Sequence, residues 1–281
     1  MSDNKFLEKA KENVIIVAHR GVAGGNIPCN TLASYEIALK QGADMIEIDV
    51  SRSLDNKLFI FHPLMEHAHL NKPFYLPALP MSAIKKLRYV NCDNTPTQVG
   101  ISTLDEFFEQ FGGRCLINID KFWSNPEKIY KAVKRHGLTE QVLVKSSVNK
   151  KVLDVLEQLC PELPFIPIVK NVHPSHEELL KRSINYIGVE CVFAKEDAPI
   201  AQDDFIQKMH KDNKLIWINS IIYNHKDQLA GGHSDDTALT LSEDYGWGWI
   251  ADKGADFIQT DWPMMLKDYL IRSGKYHKCN L

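Results

Sequence analysis

Short apolar runs alternate with amphipathic stretches along the chain. Residues 14–18 form an apolar strand. Residues 31–41 repeat apolar side chains at Leu32, Tyr35, Ala38 and Leu39, the spacing of one helix face, with Asn30 or Thr31 as N-cap and Gly42 as stop. Further strands are predicted at 44–50, 115–119, 141–144, 165–169, 186–189, 215–219 and 256–260. Helical patterns fall near 102–111, 126–136, 149–160, 174–182, 202–212 and 262–272. About eight strand–helix units result, the count of a (β/α)₈ barrel, with a doubly wound sheet as the competing architecture. No composition shift divides the chain, so 1–281 reads as a single domain. Two stretches break the rhythm: 63–100, with five prolines, and 224–248, rich in Gly and Asp and ending beside Trp247 and Trp249. The expectation is a barrel with a small insertion after strand 2 and a long loop after strand 7, both on the face where barrel active sites lie.

The strand at 44–50 carries the candidate chemistry. Alternation puts Ile46, Ile48 and Val50 on one face, and Glu47 and Asp49 on the other. Two adjacent carboxylates repel, and burying them unpaired costs several kcal/mol or shifts a pKa. A hard divalent ion, Mg²⁺ or Ca²⁺, would relieve them; a half-exposed strand with two solvated acids is the plainer alternative. In a barrel, strand 1 ends at His19-Arg20-Gly21, strand 2 near Asp49, and strand 3 at Asn118-Ile119-Asp120, so one histidine and three carboxylates gather at one rim. A two-residue turn at Asp55-Asn56 would set His62 opposite Asp49, beside the acids.

Composition narrows the class. The chain has 281 residues, is 44% hydrophobic and 25% charged, and carries a net charge of −3. This is globular composition, and no basic block of the kind that binds nucleic acid is present. Six cysteines (29, 92, 115, 160, 191, 279) show no CxxC and read as reduced core residues. The first residues lack the apolar stretch of a signal peptide, so the sequence as given reads as cytoplasmic, or as periplasmic or secreted if a signal has been removed. No apolar run is long enough to span a bilayer, and no stable membrane association is expected. The oligomeric state is not legible.

Taken together, His19-Arg20-Gly21, Pro28-x-Asn30-Thr31, Gly42-Ala43-Asp44-x-Ile46-Glu47-x-Asp49-Val50, His62, Thr103-Leu104-Asp105-Glu106, Asp120 and Gly254-Ala255-Asp256-x-Ile258-x-Thr260-Asp261-x-Pro263 resemble the glycerophosphodiester phosphodiesterases from Val14 to Leu270. The resemblance implies a (β/α)₈ barrel, one divalent metal, and cleavage of a small glycerophosphodiester to sn-glycerol 3-phosphate and an alcohol. It places metal ligands on Glu47, Asp49 and Asp120, and catalytic histidines on His19 and His62. Three positions depart from the family's pattern. Cys29 stands where Glu is usual, Pro63 follows His62 where Asp is usual, and Asp120-Lys121-Phe122 replaces Glu-x-Lys.

Arg20 suits a phosphate oxygen. Lys145, ending strand 4, meets phosphate or pairs with a rim acid; Glu190, ending strand 6, is equally ambiguous. Trp217 is read as a wall of the glycerol site, with core packing as the alternative. Residues 231–236 read as a solvated loop, with a lid or a second polar cluster as the alternatives. Phe74, Tyr75, Asp235, Asp236 and Trp247 lie in the two long loops, with Trp249 just after the second, and the leaving alcohol would point toward them. Two other functions compete: a barrel phospholipase acting on membrane lipid, and a catalytically silent barrel that binds a phospho-ligand.

Overall fold

The computed structural model describes residues 4–224, 226 and 228–277. Eight parallel strands close a barrel: β1 (Ile15–Ala18), β2 (Met45–Arg52), β3 (Leu116–Asp120), β4 (Val142–Ser147), β5 (Phe165–Lys170), β6 (Gly188–Val192), β7 (Leu215–Asn219) and β8 (Phe257–Thr260). Each pairs with the next, and β1 pairs with both β2 and β8. The expected (β/α)₈ barrel is therefore borne out, with strand ends shifted by at most three residues. The pattern at 174–182 yields a single turn, His176–Leu179. No helix among the described residues is long and apolar enough to cross a membrane.

The barrel interior changes character along its axis. Val17, Met45, Leu143, Ile166, Trp217 and Phe257 fill the end where the strands begin. A helix absent from the sequence expectation, Lys5–Glu12, closes that end with Phe6 and Ala10, one turn apart. Toward the strands' C-terminal ends the inward residues become polar, among them Glu47, Lys145, Glu190, Asn219 and Gln259. Outside, Ile46, Ile48 and Val50 pack with Tyr35, Phe107 and Phe111 from the flanking helices.

Several of the recurring motifs are structural. Asp44, before β2, accepts the backbone N–H of Ile16 on β1 at 3.0 Å and pairs with Lys9 of the closing helix at 2.9 Å. Asp256, before β8, accepts the N–H of Ile216 on β7 at 2.7 Å. The two Gly-Ala-Asp sequences thus do the same job on the two strands that flank β1. Thr103 and Glu106 form a capping box at the start of helix Leu104–Phe111.

Residues 63–100 hold short helices at Glu66–Leu70 and Met81–Ile84 and a ribbon of Arg88–Val90 with Pro96–Gly100. Their Leu70, Leu76, Ile84 and Tyr89 form a small core with Phe59 and Phe61, which the sequence did not reveal because no single period runs through such short elements. The described cysteines are all free, but Cys92 is exposed in the ribbon rather than in the core; Cys279 lies outside the described residues.

Phe6 is fully buried beneath the barrel. Phe6→Ala should therefore lower stability by about 3–5 kcal/mol in urea unfolding, the range for truncating a packed aromatic. A loss under about 1 kcal/mol, within the range of ordinary surface substitutions, would show that the closing helix is not part of the core.

Candidate active site

Strand register assembles the acids. Asp49 on β2 lies directly beside Asp120 on β3, and Glu47 sits two residues below Asp49 on the same face. Oxygens of all three come within 4.8 Å of one another. Glu47 and Asp49 are buried, and Asp120 is partly exposed. Burial first, and then the charge of Asp49, push the Glu47 carboxyl up to about 7. Burial acts on Asp120 in the same direction, but Lys121 and Lys145 outweigh it and hold that carboxyl below its ordinary range.

Around the acids, Asp49 is fixed by its neighbours. Its Oδ2 accepts from Asn30 Nδ2 at 2.9 Å and lies 2.9 Å from Arg20 Nε. Its Oδ1 is buried without a hydrogen bond among the described residues; His62 Nε2 lies at 4.0 Å and Lys121 Nζ at 3.9 Å. Asn30 also accepts from Tyr35 Oη at 2.8 Å, and Thr31 caps the helix that carries Tyr35. This explains Pro-x-Asn-Thr: one residue aims the acid and the next starts the helix that braces it. Arg20 adopts a left-handed backbone (φ 57°) so that its N–H donates to Glu47 Oε2 at 3.0 Å. Gly21 follows at φ 75°, and a Cβ there would sit 2.6 Å from Ser34 Oγ, so the close turn requires glycine.

Both histidines are held through Nδ1. In the closed barrel Ala18 pairs with Thr260, so the next residues, His19 and Asp261, are neighbours. His19 Nδ1 lies 2.9 Å from Asp261 Oδ1. Asp261 was visible in a motif, but its partnership needs the β8–β1 closure. Burial works against the charged imidazole, yet Asp261 and Glu47 prevail and raise the His19 pKa. His62 Nδ1 donates to the carbonyl of Pro63 at 2.8 Å, so proline at the family's usual Asp position supplies an acceptor through its backbone. Burial lowers the His62 pKa, and Arg20 and Lys121 add to that against Asp49.

The hairpin register differs from the one expected. Val50 pairs with Ile60 and Ser51 with Phe59, and Ser53 N–H donates to Lys57, leaving a three-residue turn with Asn56 left-handed at φ 65°. Phe61, not His62, faces Asp49 across the ladder: its N–H donates to the Asp49 carbonyl. His62 comes near the acids because the strand partner Leu58–Ile60 ends before it.

Other predicted residues divide. Lys145 lines the cavity and pairs with Glu190 at 2.9 Å. Trp217 does not wall the site. It is fully buried, stacks on Phe257 with ring centres 5.0 Å apart, and lies 3.9 Å beneath the Lys145 ammonium. Alternation placed it on the inward face but says nothing of depth. Phe122, at the family's usual Lys place, is core, while Lys121 turns at φ 62° to bring its ammonium onto Asp120. Cys29 stays neutral, its thiol pushed up to about 11 by burial. Residues 231–236 are not a solvated loop, for His233, Ser234 and Asp235 are buried. Asp235 accepts from Ser220, Trp247 and Thr260 side chains and from the Asp261 N–H at 2.8 Å, and so anchors the partner of His19. Asp235 and Trp247 are therefore not available to a leaving group.

His19, Arg20, Glu47, His62, Asp120, Lys121 and Lys145 line one cavity of about 670 Å³. Among known proteins, a family described as a domain of unknown function matches residues 165–270. A Bacillus subtilis (strain 168) glycerophosphodiester phosphodiesterase is 30% identical over 57% of this chain, and the match spans 60% of that relative. A Mus musculus protein named lysophospholipase D GDPD1 is 24% identical over 90% of this chain and 85% of its own. The structure of an Oleispira antarctica phosphodiesterase in complex with the product sn-glycerol-3-phosphate matches with TM-score 0.65 at 20% identity, covering 92% of this chain and 97% of that one, a likeness of fold. These likenesses bear out the resemblance to the glycerophosphodiester phosphodiesterase family.

Asn30 holds a left-handed backbone (φ 57°) while satisfying both Asp49 and Tyr35. Asn30→Ala should cost roughly 2–4 kcal/mol, combining lost buried partners with left-handed strain. Asn30→Gly removes the strain and should recover about 1 kcal/mol of it. Equal urea midpoints for the two variants would show that the backbone conformation contributes nothing.

Proposed function

We propose that this chain hydrolyses small glycerophosphodiesters to sn-glycerol 3-phosphate and an alcohol. The reading is carried by one observation: two imidazoles, each tied back through Nδ1, open on a cavity above three converging carboxylates. The relative that holds glycerol 3-phosphate supports this substrate class. A hard cation, Mg²⁺ or Ca²⁺, fits Glu47, Asp49 and Asp120, because Asp49 Oδ1 is buried without a hydrogen-bond partner among the described residues and Glu47 resists ionisation beside it. When bound, it would neutralise the non-bridging phosphate oxygens.

The protein's own residues do the rest. Arg20, Lys121 and Lys145 set positive charge around the phosphate. With Nδ1–H committed to Pro63, neutral His62 has a lone pair at Nε2 and takes a proton from the attacking water as its oxygen bonds to phosphorus. His19, stabilised as imidazolium by Asp261, gives the Nε2 proton to the leaving oxygen as the P–O bond breaks. The base has the lowered pKa and the acid the raised one. Activity should therefore rise with pH through the His62 pKa, below 6.5, and fall through the His19 pKa, above 6.5.

The deciding assay is release of glycerol 3-phosphate from glycerophosphocholine, with and without EDTA. Turnover should vanish with chelator and return with Mg²⁺ or Ca²⁺; full turnover in chelator would contradict the metal reading, and none under any condition would favour a silent binding barrel. Glu47→Gln and Asp49→Asn should raise the barrier by several kcal/mol while leaving the fold intact.

The histidine roles are separable by leaving group. His19→Ala and His62→Ala should each lower kcat about a hundredfold or more on a choline ester. On a p-nitrophenyl ester, whose leaving group needs no proton, His19→Ala should lose far less while His62→Ala loses as much. The reverse pattern would exchange the roles.

A further inference from the structure

A second cavity, of about 690 Å³, adjoins the catalytic one and shares His19, Arg20 and Met65 with it. It lies on the far side of His19: its walls include His19 and Asp261 but not His62, Glu47 or Asp120. Those walls are largely apolar, with Val22 from the loop after β1, Ile37 from the helix that follows, Met65 from the segment after β2, and Trp262, Met264 and Met265 from the segment after β8. Trp262, Met264 and Met265 stand open to solvent, at 48%, 55% and 39% exposure. Apolar surface gathered from four segments at the mouth of a catalytic cavity is a specific arrangement, unlike scattered surface hydrophobics. Cys29 lines the same cavity, neutral where the family usually carries Glu. Among the described residues its one carboxylate is Asp261, which His19 already engages, and its one large aromatic is Trp262. A quaternary ammonium would find neither a free acid nor an aromatic cage there.

We propose that this cavity receives the leaving alcohol and selects one bearing an apolar chain. The inference rests on the phosphodiesterase reading, in which His19 protonates the leaving oxygen; that oxygen and its substituent then lie on the His19 side, where this cavity is the adjoining space. Arg20, common to both cavities, stands at the junction where the phosphate would sit. Unbranched thioethers suit such a wall, since methionine adapts to chains of varied shape.

The test uses glycerophosphodiesters of methanol, butanol and octanol beside glycerophosphocholine. For the wild type, kcat/KM should climb from methyl to octyl by roughly two- to fourfold per methylene over the first carbons, the upper end being a fully buried CH₂. In Met264→Lys and in Trp262→Ala, the octyl-to-choline ratio of kcat/KM should fall by at least about tenfold, the equivalent of a few lost methylene contacts. A flat series in an enzyme that cleaves glycerophosphocholine would overturn the inference and leave the phosphodiesterase reading standing. Calorimetry with octyl phosphate and methyl phosphate decides the inference without turnover. Octyl phosphate should bind the wild type at least about tenfold more tightly, with the preference lost in Met264→Lys. Equal affinity for the two phosphates would overturn the proposed subsite even if every diester were hydrolysed. Preferential octyl binding by a chain that cleaves no diester would retain the apolar site and reject the catalytic reading.

Discussion

The repulsion among three carboxylates is the constraint on which the site depends. Register sets Asp49 beside Asp120, and alternation sets Glu47 beneath them, all facing the interior of a closed barrel. An apolar core would not tolerate that arrangement, so from the level of Glu47 polar side chains enter the interior, while Ile168 and Val192 keep part of the wall apolar. Arg20, Lys121 and Lys145 answer part of the charge, and Lys145 is itself balanced by Glu190. What they leave is Asp49 Oδ1, without a hydrogen bond among the described residues, and Glu47, which ionises only near neutrality. A divalent cation held there would resolve both at once.

Around this centre the barrel closure does the positioning. β8 lies beside β1, and so Asp261 reaches His19. Asp261 is anchored in turn by Asp235, whose carboxylate gathers Ser220 just after β7, Thr260 of β8 and Trp247 between them. On the other side Asn30 fixes Asp49 from the start of the first flanking helix. The candidate catalytic groups thus rest close to strand ends and on buried hydrogen bonds, as a preorganised site would require.

Much of this was legible in the sequence for physical reasons. Barrel strands covered on both faces read as apolar runs, and two acids interrupting one such run announce themselves. Adjacency of successive strands then brings His19, Asp49 and Asp120 together. What was not legible depends on closure, depth or single turns. The hairpin register hung on whether the turn held two residues or three, and Asn56 took the left-handed position that makes it three. His62 reached the site even so, from beyond the paired strand. The inward face of Trp217 was readable, but not that it lies in the layer beneath Lys145. The small core after β2 and the burial of Asp235 arise from residues distant in sequence, with no period to expose them.

Whether the acid cluster binds a cation can be decided independently of turnover. Calorimetric titration of chelator-treated protein with Ca²⁺ and Mg²⁺ measures this directly. One site per chain is expected, with proton release near pH 6 as Glu47 ionises, and with unfolding stability raised by about 2.7 kcal/mol at a hundred times the Kd. Asp49→Asn should abolish the heat while melting as a folded protein. A folded wild type that shows neither heat nor stabilisation with either ion would contradict the account at its centre.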